Sequence, residues 1–486
     1  MKSVFWLRND NQSETIKVKD MRKMRLEIHL IELLIIFPVL ILFMLVACTG
    51  IKKESTVKKA PPQSFVVHPQ WSRNATIYEV NIRQYTPEGT FKAFSEQIPR
   101  LKKMGVDILW LMPINPIGEK NRKGKLGSYY SVRDYKGINP EFGTLDDFKE
   151  LVKQAHKEGM KVIIDWVANH TSWDNSWITE HPDWYTKDSL GKMVSPYDWS
   201  DVADLNYDNK DLRAGMLDAM KYWIREADID GFRCDVAGMV PTDFWETVRP
   251  ELDKIKPVFM LAEAEDPLLQ IRAFDMSYAW DLHHIMNSIA KGKMNANAIE
   301  AYYLKQDTTY PADAYRMLFT SNHDENSWNG TEFERMGEGS VCMAVLTATL
   351  PGMPLVYSGQ ESAFNKRLRF FNKDTIDWKD YRLEPLYNRL FALKHAYQPL
   401  WNGKWGGKME RINTSADSSV FAFTREKEGD RVFVLANLSN KVQECKLKGN
   451  SFEGKYKEWF LDENAVFEKG ATVRLKPWEY KVYVKK

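Results

Sequence analysis

Eight short apolar segments, separated by helix-like patterns, constrain the fold of this chain more than any other feature of its sequence. The apolar segments have the length of strands and lie at 76–82, 108–112, 161–166, 231–236, 258–263, 274–278, 316–320 and 354–357. Helical periodicity appears between them at 90–104, 144–158, 212–226, 241–255 and 340–350. Strands that alternate with helices favour a parallel sheet, and eight such units predict an α/β fold of the (β/α)8 barrel type.

Two regions depart from this alternation. The Trp-rich stretch 171–206 is too long for a simple connection, and we predict a short inserted domain there, above the barrel. Beyond about residue 400, segments such as 419–424 and 431–438 alternate apolar and polar residues around Gly429-Asp430, a hairpin turn signal. We therefore predict a barrel at 71–398 and a C-terminal antiparallel β-sandwich at 399–486.

The N-terminus has the pattern of an export signal. Five basic residues between positions 17 and 25 precede an apolar run at 33–47, which is shorter than the ~20 residues of a spanning helix. The sequence Leu45-Val46-Ala47-Cys48 resembles the cleavage box of bacterial lipoproteins, which implies lipidation of Cys48. We predict a signal segment at 1–48, a linker at 49–70 and a membrane-anchored protein in the periplasm or on the cell surface; a single spanning anchor is the alternative.

Composition narrows the class of protein. Hydrophobic residues make up 44% of the chain and charged residues 28%, as in ordinary globular proteins. The net charge of +2 is too small for a nucleic-acid-binding surface, so no nucleic-acid partner is expected. The other cysteines, Cys234, Cys342 and Cys445, are too widely spaced for a zinc motif or a disulfide framework, and we expect buried thiols.

Four carboxylates stand at or near the ends of predicted strands: Asp165, Asp235, Glu263 and Asp324. Active sites of barrels lie at the carboxyl ends of the strands. Charged residues are rarely buried without partners, so four acids in such positions predict one shared cleft.

A pair of carboxyl groups suits the cleavage of an acetal. One group protonates the leaving oxygen, while an ionised group stabilises the positive charge that develops at the carbon. Arg233 lies two residues before Asp235, on the same face of the strand, and its charge would keep Asp235 ionised. His170 and His323 could donate hydrogen bonds to sugar hydroxyls.

The segments 165–170, 231–237, 258–263 and 319–324 resemble the four signature regions of the α-amylase family, glycoside hydrolase family 13, in order and spacing. The segments 105–113, 130–143, 204–206 and 352–361 also resemble this family, so the likeness extends from about Trp71 to the C-terminus. It implies that Asp235 is the nucleophile, that Glu263 is the general acid/base and that Asp324 grips ring hydroxyls. The family acts with retention, through a glycosyl-enzyme intermediate.

The resemblance also implies substrate-binding residues and a metal position. Tyr130 would stack under the sugar at the cleavage point, and His170, His323 and Arg233 would complete the site. No cofactor is needed for the chemistry. Asn169 and Asp204 match positions that often hold a structural Ca²⁺ in the family, although Ca²⁺ needs about 6–8 oxygen ligands and Asn169 could simply brace its loop.

Three departures from the family pattern bear on the substrate. Ser128, and no His, precedes Tyr130, and Gly238-Met239 stand where many relatives carry Lys-His on the leaving-group side. The inserted domain is also short. These features favour oligosaccharides and place endo-action on long chains in doubt.

The leading interpretation is a hydrolase of mainly α-1,4 bonds in starch-derived glucans or maltooligosaccharides. An α-glucosidase, a cyclomaltodextrinase or neopullulanase and a transglycosylase share the same barrel residues and stay open. A catalytically silent glucan-binding lipoprotein is a different class, which the three catalytic carboxylates disfavour. A metallohydrolase based on Asp165, His170, His323 and Asp324 is disfavoured because no HExxH or comparable ligand pair is present.

Overall fold

The computed structural model describes residues 60–486. The predicted signal segment, the lipidation site Cys48 and the first part of the linker lie outside the described residues. Within residues 60–486, no helix combines the length and the apolar character needed to cross a bilayer.

Eight parallel strands close into a barrel, as the sequence predicts. In chain order its strands are β1 (Ile77–Val80), β2 (Ile108–Leu111), β3 (Lys161–Trp166), β6 (Gly231–Cys234), β7 (Phe259–Ala262), β8 (Met276–Tyr278), β9 (Tyr315–Leu318) and β10 (Met353–Tyr357). Around the barrel the order is β1-β10-β9-β8-β7-β6-β3-β2, and β2 pairs with β1 to close it. This confirms the predicted fold class.

Helices connect the strands. They span Ile82–Tyr85, Phe91–Ser95, Ile98–Met104, Leu145–Lys157, Trp177–Glu180, Lys210–Ala227, Thr242–Asp253, Leu269–Arg272, Trp280–Ala290, Asn297–Thr309, Glu332–Met336, Ser340–Thr349 and Glu384–Ala396. The prediction of one helix over 90–104 is wrong, because Pro99 has no N–H to continue a preceding helix and instead occupies the first turn of a new one.

The barrel interior changes from apolar to charged along the strands. Alternate residues of a strand share a face, so Ile77 is followed inward by Glu79, and Ile163 by Asp165. The lower interior is a packed apolar cluster that includes Ile77, Trp110 and Ile163. Above it, Glu79, Asp165 and Arg233 are fully buried towards the carboxyl ends of the strands. The polar layer therefore lies directly above a closely packed apolar core.

The inserted domain is built on a short antiparallel pair. Strand β4 (His170–Ser172) pairs with β5 (Val202–Asp204), and His170 lies opposite Asp204. This pairing fixes the start and the end of the insertion over the strands that carry the acids.

The C-terminal domain contains two antiparallel sheets, in agreement with the predicted sandwich. Its strands are β11 (Met409–Ile412), β12 (Val420–Lys427), β13 (Asp430–Asn437), β14 (Gln443–Lys446), β15 (Gly454–Glu458), β16 (Asn464–Phe467), β17 (Thr472–Leu475) and β18 (Tyr480–Lys485). Six strands form the larger sheet, in the order β11-β12-β13-β18-β15-β16, and β14 pairs with β17. Phe433 of the larger sheet and Leu475 of the smaller one share a buried core. Cys234, Cys342 and Cys445 are free and buried, as expected.

Gly231, at the start of β6, is required by close backbone packing. Its φ is +152°, and a Cβ atom there would lie 1.9 Å from the carbonyl oxygen of Phe259. We expect Gly231→Ala to lower the free energy of unfolding by about 2–4 kcal/mol, measured by urea denaturation. Gly238→Ala is the control, because its nearest contact is an ordinary 3.5 Å. Equal stability of the two variants would contradict this packing argument.

Candidate active site

A cleft of about 510 Å³ lies at the carboxyl ends of the barrel strands. Six residues singled out in the sequence line it: Tyr130, His170, Asp235, Glu263, His323 and Asp324. Arg233 lies beneath its floor, and Asn169 and Asp204 are not part of its lining. The structure thus brings the three predicted catalytic carboxylates and their predicted binding residues together in one place.

Arg233 is the centre of this site. Its side chain is fully buried, and Nη1 donates hydrogen bonds to Asp165 (2.8 Å) and Asp235 (2.9 Å). Nη2 lies 2.9 Å from Oε2 of Glu263, and Nε donates to the hydroxyl of Tyr278. One guanidinium group therefore joins three carboxyl groups that belong to three neighbouring strands.

The same cluster sets the proton affinities of the acids. Burial raises the pKa of Glu263 to about 7; Arg233 opposes this rise, and the charges of Asp235 and Asp324 add to it. Burial also raises the pKa of Asp235 to about 6, and Arg233 again opposes the rise. Because Glu263 has the higher pKa, it keeps its proton when Asp235 is ionised. This order fits Glu263 as an acid and Asp235 as a nucleophile.

Asp165 does not lie in the cleft, and this part of the shared-cleft prediction is wrong. Asp165 is fully buried below the floor, where it accepts hydrogen bonds from Arg233, from Nε1 of Trp110 (3.2 Å) and from the hydroxyl of Tyr130 (3.0 Å). It points inward from its strand because it shares the interior face with Ile163. Its role is to hold Arg233 and Tyr130 in position.

Glu79 is a site residue that the sequence analysis missed. Its carboxylate lies 2.5 Å from Nδ1 of His323, whose Nε2 lies 2.7 Å from the hydroxyl of Tyr130. Burial alone would lower the pKa of His323, but the charges of Asp324 and Glu79 raise it to about 9. His323 is therefore an imidazolium at neutral pH. The sequence feature that could have indicated Glu79 is that it is the one charged residue of strand β1.

His170 differs from His323 in its protonation state. Burial lowers the pKa of its imidazole to about 4, so the ring is neutral at neutral pH. The side-chain nitrogen of Asn169 lies 3.3 Å from Nδ1 of His170 and can donate to it. This arrangement favours the tautomer with the proton on Nε2, which can act as a hydrogen-bond donor.

Asn169 and Asp204, the predicted Ca²⁺ position, interact with each other at the base of the inserted domain. Burial raises the pKa of Asp204, while hydrogen bonds from Thr186 and Asn169 to its side chain oppose the rise. A Ca²⁺ ion at these two residues stays a prediction. Ca²⁺ needs about 6–8 oxygen ligands. In the described part of the chain, no group of three or more acidic, His or Cys side chains is arranged to hold a metal.

The sequence analysis did not identify several further residues that line the cleft. Lys123 forms an ion pair with Asp201 (2.8 Å), which connects the loop after β2 to the inserted domain. Trp328, Phe370 and Phe371 line the same cleft. They lie on loops after β9 and β10, where hydrophobic periodicity gives no information about side-chain direction.

The family model "Alpha amylase, catalytic domain" matches residues 55–201 and 180–401. The chain belongs to the α-amylase family. This family comprises glycoside hydrolases, and the match covers the barrel and the carboxylate cluster around Arg233. The model "Alpha-amylase SusG C-terminal domain" matches residues 420–480.

Individual relatives support the assignment to the α-amylase family. An α-amylase from Lactobacillus plantarum is 32% identical, with a TM-score of 0.77 over 86% of this chain and 100% of that one. A maltogenic α-amylase from Thermotoga neapolitana is 30% identical, with a TM-score of 0.78 over 85% and 98%. Alpha-amylase MalA from Haloarcula japonica is 28% identical over 76% of this chain, which spans 56% of that longer relative.

The Glu79–His323 pair leads to a testable prediction. We expect Glu79→Gln to lower the pKa of His323 by about 1–3 pH units, because a facing negative charge is lost. His323 would then lose its charge at a lower pH than in the wild type. NMR titration of the histidine rings, with His323→Gln for assignment, measures the change. Glu88→Gln, at an exposed glutamate, is the control; an unchanged titration of His323 in Glu79→Gln would contradict the pairing.

Proposed function

We propose that the protein hydrolyses α-glucosidic bonds, mainly α-1,4, in starch-derived glucans or maltooligosaccharides, with retention of configuration. The observation that carries this proposal is the sharing of one buried guanidinium by Asp235 and Glu263 at the cleft floor. The named relatives add support, since they include α-amylases and a maltogenic α-amylase.

The hydrogen bonds leave one oxygen of each acid available for the chemistry. Arg233 holds Oδ1 of Asp235, and Oδ2 has no hydrogen-bond partner among residues 60–486. Oε2 of Glu263 accepts the backbone N–H of Val236 (2.8 Å) and lies against Arg233, which leaves Oε1 to carry the proton. We infer that Oδ2 of Asp235 attacks the anomeric carbon while Oε1 of Glu263 protonates the leaving oxygen.

In the second half of the reaction the same two carboxyl groups exchange their functions: Glu263 acts as a base and Asp235 is the leaving group. The first step forms a bond between Asp235 and the anomeric carbon, breaks the glycosidic bond and leaves Glu263 ionised. Glu263 then takes a proton from water, whose oxygen attacks the anomeric carbon and releases Asp235. Two inversions at one carbon restore the original configuration.

The remaining cleft residues would hold the sugar. The ring of Tyr130 is fixed by its hydroxyl bonds to Asp165 and His323, so it offers a rigid face for stacking. Nε2 of His170 can donate to a hydroxyl, and the partly exposed Asp324 can accept from others. Donors and acceptors that are already in place need little reorganisation in the transition state.

The cleft favours a short substrate. The insertion between β4 and β5 is short, and the Lys123–Asp201 pair ties it to the loop after β2. We propose maltooligosaccharides as the preferred substrates. We also propose that the protein is exported and anchored by a lipid on Cys48, on the basis of the signal-like sequence that precedes the described residues.

Replacement of the nucleophile tests the reaction. Asp235→Asn retains the size of the side chain but removes its charge, so we expect a loss of roughly 10⁴-fold or more in kcat. The assay is product analysis on maltoheptaose, cyclodextrin, pullulan and starch, which also separates the subtypes. Asp208→Asn, at an exposed site, is the control. Hydrolysis by Asp235→Asn at the wild-type rate would contradict the assignment.

The pH dependence follows from the two raised pKa values. Wild-type kcat/KM on maltooligosaccharides should fall below about pH 6, where Asp235 gains a proton, and above about pH 7, where Glu263 loses one. α-Maltosyl fluoride needs no acid because fluoride is a good leaving group. Glu263→Gln should therefore release a burst of fluoride equal to the enzyme concentration and then turn over slowly.

Two results of the fluoride experiment would contradict the roles of the acids. The first is a burst from Asp235→Asn, which lacks the nucleophile. The second is the absence of a fluoride burst from Glu263→Gln, since formation of the glycosyl-enzyme from the fluoride does not require proton donation.

A further inference from the structure

One wall of the cleft is aromatic and is not used by the chemistry described above. It consists of Trp328, Phe370 and Phe371, and we name it the aromatic wall. Trp328 lies on a π-helical turn, Glu325–Asn329, directly after Asp324, and 52% of its surface is exposed. The two phenylalanines lie on the loop that follows β10.

The aromatic wall adjoins Tyr130. The planes of Phe370 and Tyr130 differ by 12°, with ring centroids 6.2 Å apart. The Trp328 ring lies 5.2 Å from Phe370 and 5.7 Å from Phe371. A saccharide whose first ring stacks on Tyr130 would therefore meet further aromatic rings in the next position.

Hydrogen bonds hold the aromatic wall in place without a ligand. Asn326 donates from Nδ2 to the carbonyl of Lys366 (3.2 Å) and accepts the N–H of Leu368 (2.8 Å), so the turn and the loop are joined. The N–H of Leu126 donates to the carbonyl of Phe371 (3.0 Å). A preformed aromatic surface loses little conformational entropy when a ring binds to it.

The barrel order places the aromatic wall away from the leaving group. Glu263 ends β7, and its proton goes to the leaving oxygen, so the leaving group lies on its side of the cleft. The wall follows β9 and β10; β8 separates β9 from β7, and β10 lies beside β1, which is opposite β7 in the ring of eight strands. The ring that stacks on the wall is therefore on the glycone side.

We propose that Trp328, supported by Phe370 and Phe371, binds the glucose unit that precedes the cleaved one on the glycone side. This inference rests on the proposed function and adds a specificity determinant to it. Aromatic faces pack well against apolar faces of other rings, and the Trp nitrogen can donate a hydrogen bond. Lys123 lines the same cleft, and its neighbour Gly124 packs against Phe371.

Two substrates with the same leaving group isolate this subsite. α-Maltosyl fluoride has one glycone glucose more than α-glucosyl fluoride, and both release fluoride. We expect the wild type to prefer the maltosyl compound in kcat/KM. Trp328→Ala should reduce that preference roughly tenfold, equivalent to about 1.4 kcal/mol, and leave kcat/KM for the glucosyl compound within about twofold.

The control variants separate stacking from general damage. Trp328→Phe keeps an aromatic face and should retain most of the preference. Phe65→Ala removes an aromatic ring that is 54% exposed but does not line the cleft, and it should leave the preference unchanged. An equal fall for both fluorides in Trp328→Ala would overturn the proposal, because the glucosyl compound does not reach this position.

A binding measurement decides the proposal independently of turnover. In the Asp235→Asn background, calorimetric titration with maltotriose should show roughly tenfold weaker binding when Trp328→Ala is added. Equal affinity would overturn the role of the aromatic wall. If the wild type hydrolyses neither fluoride, the proposed function fails, and the titration still supports or overturns the wall.

Discussion

The structure of the site depends on one buried cation, the guanidinium of Arg233. Three carboxyl groups converge on it, and no polar layer of this kind could be buried without such a partner. One positive charge does not neutralise three acids, so the cluster favours retention of a proton. The environment favours Glu263 as the holder of that proton, and this difference is the physical basis of the opposite roles that we propose for the two carboxyl groups. In the proposed mechanism, the geometry of attack and the order of protonation therefore have the same physical origin.

A second charged pair extends this polar layer on the opposite side of the barrel. Glu79 and Asp324 keep His323 protonated, and His323 in turn fixes the hydroxyl of Tyr130. The charged layer lies directly above an apolar interior that excludes water, so each of these interactions acts in a low-dielectric environment. The sugar would meet a surface whose donors, acceptors and aromatic faces are already oriented.

The barrel could be predicted from the sequence because strands such as β3 and β7 are short and almost wholly apolar, and because an acid lies close to the end of each. It also indicated Asp235, Glu263 and Asp324 through their local motifs, and the structure brings them into one cleft. It could not show that Asp165 points below the floor, because that depends on which face of β3 turns inward. Glu79 and Trp328 were missed because their importance arises from neighbours distant in sequence, His323 and Phe370. Pro99 in the sequence indicates a break between two helices, but the apolar periodicity on both sides of it favoured the prediction of one continuous helix.

The stereochemical outcome tests the central claim, that Asp235 forms a covalent intermediate beside Glu263. ¹H NMR of the anomeric protons, recorded in the first minutes of maltoheptaose hydrolysis, shows which anomer is released before mutarotation. The account predicts that the new reducing end appears first as the α-anomer and only later equilibrates with the β-anomer. Initial release of the β-anomer would show single inversion by water, and it would contradict the role of Asp235 as nucleophile.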